Sequence, residues 1–245
     1  MEKSMKYAEN CHEMAKLAGI AYLDEKEASE EFKDLGYTHH KFFDTDGAQC
    51  HAVWNVRRYV LCFRGTEPDE LSDILADLNA FPDRGIVGGY VHNGFQNEVE
   101  KLWMDIKSHY MENGTGKEFF ITGHSLGGAM STVTASRFGD DVDCLYTYGS
   151  PRVGTKGFTK TIKCPHYRHV NNNDIVTSVP PALMFYRHHG TLRYINFYGF
   201  VRKLTFWQKI KDKFRGYRSG VLDGVKDHDM SAYIECTGRK ENGNA

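Results

Sequence analysis

Apolar residues recur at two different spacings along the chain, and the switches between them mark out helices and strands. From Tyr7 to Leu23, the residues Ala8, Cys11, Ala15, Ala18 and Tyr22 stand three to four apart, which predicts one face of a helix. The acidic run from Asp24 to Asp34 reads as solvated surface. Arg58-Tyr59-Val60-Leu61-Cys62-Phe63-Arg64 reads as a short buried strand that stops at Gly65. Glu98 to Tyr110 returns to helical spacing, with Val99, Leu102, Trp103, Ile106 and Tyr110 on one side. A strand at Phe119–Thr122 is followed by a sharp turn over 123–128 and a helix at Ala129–Phe138. Further strands are predicted at Leu145–Tyr148, His166–Val170 and Thr191–Tyr198, and Met230–Ile234 is helix-like. Strands that alternate with helices at these lengths need crossover connections. The predicted class is therefore α/β, a mostly parallel central sheet with helices on both faces.

Size and composition narrow this picture. A chain of 245 residues suits one such domain spanning 1–245, because α/β folds of this length commonly hold a single core. The hydrophobic share of 40% still leaves 15 Phe and 14 Tyr to bury. With 31 Lys and Arg against 32 Asp and Glu the net charge is -1, which argues against nucleic acid as the main partner. Met1–Lys6 is polar and leads into no apolar h-region, so no signal peptide is expected in this chain. Nor does any run approach the roughly 18 apolar residues that span a bilayer. The default expectation is cytoplasmic, with secretion by a non-standard route or as an already trimmed form as the alternatives. Cys11, Cys50, Cys62, Cys144, Cys164 and Cys236 form no CxxC pair and read as free thiols.

Chemistry concentrates at Gly123-His124-Ser125-Leu126-Gly127, a G-x-S-x-G between a predicted strand and a predicted helix. Glycines on either side let the chain turn tightly enough to lift the Ser125 hydroxyl above the end of the sheet. The helix beginning near Leu126 points backbone N–H groups at developing negative charge. A serine hydroxyl needs an adjacent base, and the base needs an orienting carboxylate, which in this strand–turn–helix setting follow in the order Ser, acid, His. Asp174, just past the strand His166–Val170, lies at the same sheet edge as Ser125; the alternative is a turn aspartate bonding its own backbone. Of the twelve histidines, His228 alone has the required order and edge. His188 and His189 enter the strand Thr191–Tyr198 from its amino end. Their closeness to His166 and His169 could suggest a metal, but no carboxylate or cysteine spacing supports one, so no metal or cofactor is expected. For the oxyanion, the backbone N–H of Leu126 is one donor and that of Thr66, after the strand ending at Arg64-Gly65, is the other.

Five ordered motifs carry a resemblance over about Arg58 to Tyr233: Phe63-Arg64-Gly65-Thr66, Gly123–Ala129, Tyr148-Gly149-Ser150-Pro151-Arg152-Val153-Gly154, Asn173–Val176 through Pro180-Pro181, and Asp227-His228 before Tyr233. Together they resemble the class 3 (fungal-type) lipase family of the α/β-hydrolase fold. The resemblance implies hydrolysis of carboxylic esters of lipid or other small substrates. It assigns Ser125, Asp174 and His228 to the catalytic triad, and Thr66 and Leu126 to the oxyanion hole. It also places a lid at Glu67-Pro68-Asp69-Glu70-Leu71-Ser72-Asp73-Ile74-Leu75. Leu71, Ile74 and Leu75 have helical spacing, yet four acidic residues make this lid more polar than one built to open onto oil.

From Phe200 to Arg218, seven basic residues face one acid, Asp212, and Phe200, Leu204, Trp207, Ile210 and Phe214 recur at steps of three to four. That pattern suits either a surface helix packed on the core or a helix lying on an anionic membrane. Three function classes follow: a serine esterase or lipase, a membrane-surface phospholipase or lysophospholipase, and a silent lipid-binding protein. Oligomeric state is left open.

Overall fold

The computed structural model describes residues 8–65, 82–202, 205, 207–208 and 226–239. A single 3-10 turn at Ala8–Asn10 leads into helix α1 (Cys11–Ile20), which buries Met14, Ala15, Leu17 and Ala18. The acidic run that follows is a helix, α2 (Glu25–Asp34), and not plain surface. Asp24 caps it by accepting the Glu27 N–H at 2.9 Å, and Ala28 and Phe32, four residues apart, sink into the core. A hairpin of β1 (His39–Thr45) and β2 (Ala48–Trp54) comes next, with no counterpart in the predicted elements. Its turn is Asp46-Gly47, with φ of 48° and 81°, the dipeptide best suited to a two-residue hairpin loop.

The strands and longer helices that follow are, in order, β3 (Arg58–Phe63), β4 (Pro82–Arg84), β5 (Tyr90–His92), α3 (Asn93–Asn113), β6 (Glu118–His124), α4 (Leu126–Phe138), β7 (Cys144–Tyr148), β8 (Gly154–Thr155), β9 (His166–Asn171), β10 (Tyr186–Arg187), β11 (Thr191–Ile195), β12 (Val201–Arg202) and α5 (Met230–Gly238). The predicted strand Thr191–Tyr198 stops early because Asn196 Oδ1 accepts the N–H groups of both Tyr198 and Phe200, which turns the chain.

Among the described residues the main sheet has eight strands in the order β1-β2-β3-β6-β7-β9-β11-β12. Every pairing from β3 to β11 is parallel, and the outer pairings with β1, β2 and β12 are antiparallel. A smaller sheet runs β10-β8-β5-β4. Phe95, Val99, Leu102 and Ile106 of α3 close one face of the main sheet over Phe119 and Ile121. Met14 and Leu17 of α1 and Tyr233 of α5 close the other over Phe120, Tyr146 and Tyr148. Strand β6 is thus buried on both sides, which is why it reads as an unbroken apolar run. The parallel strands β3, β6, β7 and β9 all end at one edge, where ligands bind in sheets of this kind. All six cysteines are buried and unbridged. Thr66, the lid positions 67–75 and most of the basic stretch 200–218 lie outside the described residues.

Candidate active site

Strand β6 delivers Ser125 at φ 55° and ψ −127°, a backbone conformation that costs a non-glycine residue about 1–3 kcal/mol. The surroundings hold it there. Its N–H donates to Tyr148 O at 3.0 Å, and its carbonyl accepts from Gly128 and Ala129 to start α4. A Cβ on Gly123 would lie 2.6 Å from Ser131 Oγ and press on the Gly127 carbonyl, and one on Gly127 would strike the Phe63 carbonyl. Both positions therefore require glycine. The tight turn is confined to Ser125, so α4 opens at Leu126, three residues before the apolar pattern resumes. Gly127 and Gly128 are helical but carry no side chain to reveal it. Leu126 consequently offers its N–H at a helix N-terminus beside Ser125. Gly65 packs against the same turn, since a Cβ there would stand 3.2 Å from Ser125 Cβ.

Asp174 follows β9 in a turn closed by its own N–H, which donates to Asn171 O at 2.8 Å. Its carboxylate accepts the Val176 N–H at 2.9 Å, the local bond expected of a turn aspartate. It also accepts from His228 Nδ1 at 2.9 and 3.0 Å, so the turn bond and the contact with His228 coexist on one carboxylate. The pair packs on Gly149, whose φ is 58°: a Cβ there would lie 2.8 Å from Asp174 Oδ2, His228 Nδ1 and His228 Cε1. Only glycine tolerates both that torsion and that contact. Since Gly149 directly follows Tyr148, which holds the Ser125 N–H, the strand end β7 brings the three residues to one place. Ser125 Oγ and His228 Nε2 are both buried, and neither has a hydrogen-bond partner among the described residues.

Three further residues support this arrangement. Tyr233, one turn into α5, donates its hydroxyl to Asp174 Oδ2 and accepts the Asn171 N–H at 2.9 Å. Burial, and then the Asp174 charge, push its hydroxyl well above the usual tyrosine range, so it stays a donor. His124 is wholly enclosed, and burial holds its imidazole well below the ordinary value. It is therefore neutral, and its two contacts fix the tautomer. Nε2–H donates to the His228 carbonyl at 2.7 Å, and Nδ1 accepts the Tyr22 hydroxyl at 2.8 Å. The His124 and His228 rings lie 4.5 Å apart. Tyr233 stood inside the last motif and His124 inside the elbow, but only the fold reveals what each one holds.

His188 and His189 lie elsewhere. His188 Nε2 donates to Thr177 O at 2.9 Å, and His189 contacts His166 at 3.2 Å. Among the described residues no group of histidine, cysteine, aspartate or glutamate is arranged to hold a metal.

A parallel sheet of this order with a strained serine between strand and glycine-lined helix defines the α/β-hydrolase fold. Residues 60–184 match the family model for lipase (class 3), and the chain belongs to that family. It is 38% identical to the toxin TseL of Vibrio cholerae over 45% of this chain and 18% of the toxin. It is likewise 38% identical to the secreted mono- and diacylglycerol lipase 1 of Fusarium solani, over 42% of this chain and 33% of that protein. The matches thus span less than half the length of either relative. A fungal lipase crystal structure superposes with a TM-score of 0.70 at 19% identity, over 96% of this chain and 98% of the other.

Proposed function

We propose that this protein is a serine carboxylic-ester hydrolase of the lipase or esterase type. Ser125 acts as nucleophile, His228 as general base and then general acid, and Asp174 as the carboxylate that orients and charges the base. The observation that carries this is the pair of buried, unpartnered atoms Ser125 Oγ and His228 Nε2, with His228 Nδ1 already fixed on Asp174. A buried hydroxyl and a buried imidazole nitrogen left without partners are costly unless they serve each other or a ligand. In the reaction, Ser125 Oγ attacks the ester carbonyl as its proton passes to His228 Nε2. The tetrahedral oxyanion takes the Leu126 N–H and, by the family pattern, the Thr66 N–H. Collapse expels the alcohol, which leaves with the proton from His228, and water activated by the same nitrogen releases the acid. Glu67–Leu75 is the segment we assign as lid. Hydrolysis of a panel of p-nitrophenyl esters, triglyceride emulsions and phospholipid vesicles tests this reading, and inactivity of the wild-type protein on every member would oppose it.

A membrane-surface phospholipase is a second reading, and one observation favours it. Trp207, on the apolar stripe of the basic stretch, is 71% exposed, whereas packing that stripe on the core would bury it. An exposed tryptophan within a stretch rich in lysine and arginine suits an anionic lipid interface.

A further inference from the structure

Several large apolar side chains stand in solvent on turns at the catalytic edge of the sheet. Ile175 directly follows Asp174, and Phe197 and Tyr198 follow β11, whose Ile195 carbonyl accepts the Asn172 N–H at 2.9 Å. The most exposed of the group lie on the turn Ala182–Phe185, where Leu183 is 90% and Phe185 74% exposed. Phe185 also sits at φ 65°, a left-handed torsion that a bulky side chain rarely adopts, and its ring gains no burial for it. The turn is nonetheless firmly built. The Met184 N–H donates to Pro181 O at 3.0 Å and the Phe185 N–H to Ala182 O at 3.1 Å. Behind them, Arg187 Nη1 donates to the Ala182 and Tyr186 carbonyls, both at 2.8 Å. Arg152 Nη1 donates to the Ser178 and Pro180 carbonyls. Arg152 stands three residues beyond Gly149, which packs on Asp174 and His228, so the turn is tied to the ester site.

Charge along this segment has one sign. No Asp or Glu occurs between Asp174 and Asp212, although the chain holds 32 of them, while Arg187, Arg193 and Arg202 fall in that span. Arg187 is exposed at the foot of the turn. An exposed aromatic in a disfavoured torsion costs the isolated protein twice, once in the backbone and once in apolar surface left in water. A partner that takes up the side chain removes the second cost. We infer that the turn Ala182–Phe185 inserts Leu183 and Phe185 into the surface of an anionic lipid bilayer and so sets the catalytic edge against the lipid. The form of the surface selects that partner. Its apolar groups project from separate turns, not from a groove or flat face that a protein would cover, and the acid-free, basic surround complements anionic headgroups. A preformed turn also loses little freedom on insertion. The inference rests on the lipase reading and deepens it, adding where the lipid surface lies and which residues enter it.

The test is vesicle binding by the full chain carrying Ser125→Ala, so that failure of docking and failure of hydrolysis are read separately. Vesicles of equimolar phosphatidylcholine and phosphatidylglycerol should carry this protein down on sedimentation, and vesicles of phosphatidylcholine alone should carry down much less. Adding Leu183→Ser and Phe185→Gly should weaken binding to the anionic vesicles about tenfold or more, the loss expected when inserted apolar side chains are removed. Phe185→Gly alone should melt no lower than its parent, because glycine suits the left-handed torsion, so its weaker binding does not report unfolding. Equal binding with and without the two changes would overturn the inference, as would equal binding to the two kinds of vesicle. A dimer that Phe185→Gly dissolves into monomers would overturn it too, by assigning the turn to a contact between copies.

Discussion

Tyr233 Oη and Asp174 Oδ2 are 2.5 Å apart in an enclosed site, and the same oxygen also faces His228 Nδ1 at 2.9 Å. The carboxylate therefore receives its charge-assisted bonds from three directions: the base, the α5 tyrosine and the Val176 backbone. Tyr233 belongs to the helix that begins two residues after His228, so α5 positions both the base and the carboxylate that orients it.

Removing one of those bonds should loosen the pair without unfolding the protein. A hydrogen bond to a charged group contributes about 1.5–3 kcal/mol, so Tyr233→Phe should lower kcat about tenfold to a hundredfold. KM should stay near wild type, because the hydroxyl faces Asp174 and not substrate. Steady-state kinetics would check this, and an unchanged kcat would contradict it.

His124 holds the base by its backbone. His124→Leu keeps an apolar body of similar size but frees the His228 carbonyl and the Tyr22 hydroxyl. We expect kcat to fall at least tenfold, roughly the cost of one lost buried hydrogen bond with its partner left unpaired. Tyr22→Phe, which leaves the bond to His228 in place, should cost much less. Equal losses in the two variants would mean that the hydrogen bond to His228 is not what matters.

Gly149→Ala separates geometry from stability. A left-handed torsion costs alanine about 1–2 kcal/mol, a modest loss for a domain of this size. The added Cβ, however, meets Asp174 and His228 at 2.8 Å. Activity should drop by orders of magnitude while the melting temperature falls by only several degrees. The two are read side by side on one preparation.

Acid should destabilise the fold through its enclosed histidines. Burial lowers His51 to about 3, His92 to about 4 and His169 to about 3. Each folded value lies below the ordinary one near 6.5, so the unfolded chain takes up protons first as pH falls. The stability that depends on these neutral rings is complete above about 6.5 and drains away as pH drops toward 4 and 3, at roughly 1.4 kcal/mol per unit for each ring. His92 is the clearest case, with both ring nitrogens buried and unpartnered and the ring stacked 4.1 Å from Phe95. Melting curves should therefore fall steeply below about pH 6.5. His92→Phe should fall less steeply than wild type, and parallel curves would contradict the assignment.

The parts of the fold that repeat an apolar period were readable from sequence, and so was the site order. Strands β3, β6 and β7 are buried on both faces and appear as apolar runs. Chain order and sheet edge single out Ser125, Asp174 and His228 as the proposed triad, and the structure brings Asp174 and His228 within hydrogen-bond distance. The hairpin β1–β2 escaped because its outer strand β1 buries only Phe43 and runs His-His-Lys-Phe-Phe without a period of two, leaving Asp46-Gly47 as the local cue. Helix α2 escaped because only Ala28 and Phe32 face inward among many acids. Tyr233 and His124 were visible as letters, but their roles depend on contacts between positions 59 and 104 residues apart. No local period carries that information.

In the proposed mechanism Ser125 is a nucleophile activated by His228. Mass spectrometry of the protein after brief treatment with a fluorophosphonate probe tests it most directly. We expect a single phosphonyl adduct on the peptide carrying Ser125 in the wild type, slow labelling in His228→Ala and none in Ser125→Ala, with all three proteins equally folded by circular dichroism. An adduct on another residue, or labelling of His228→Ala at the wild-type rate, would contradict it.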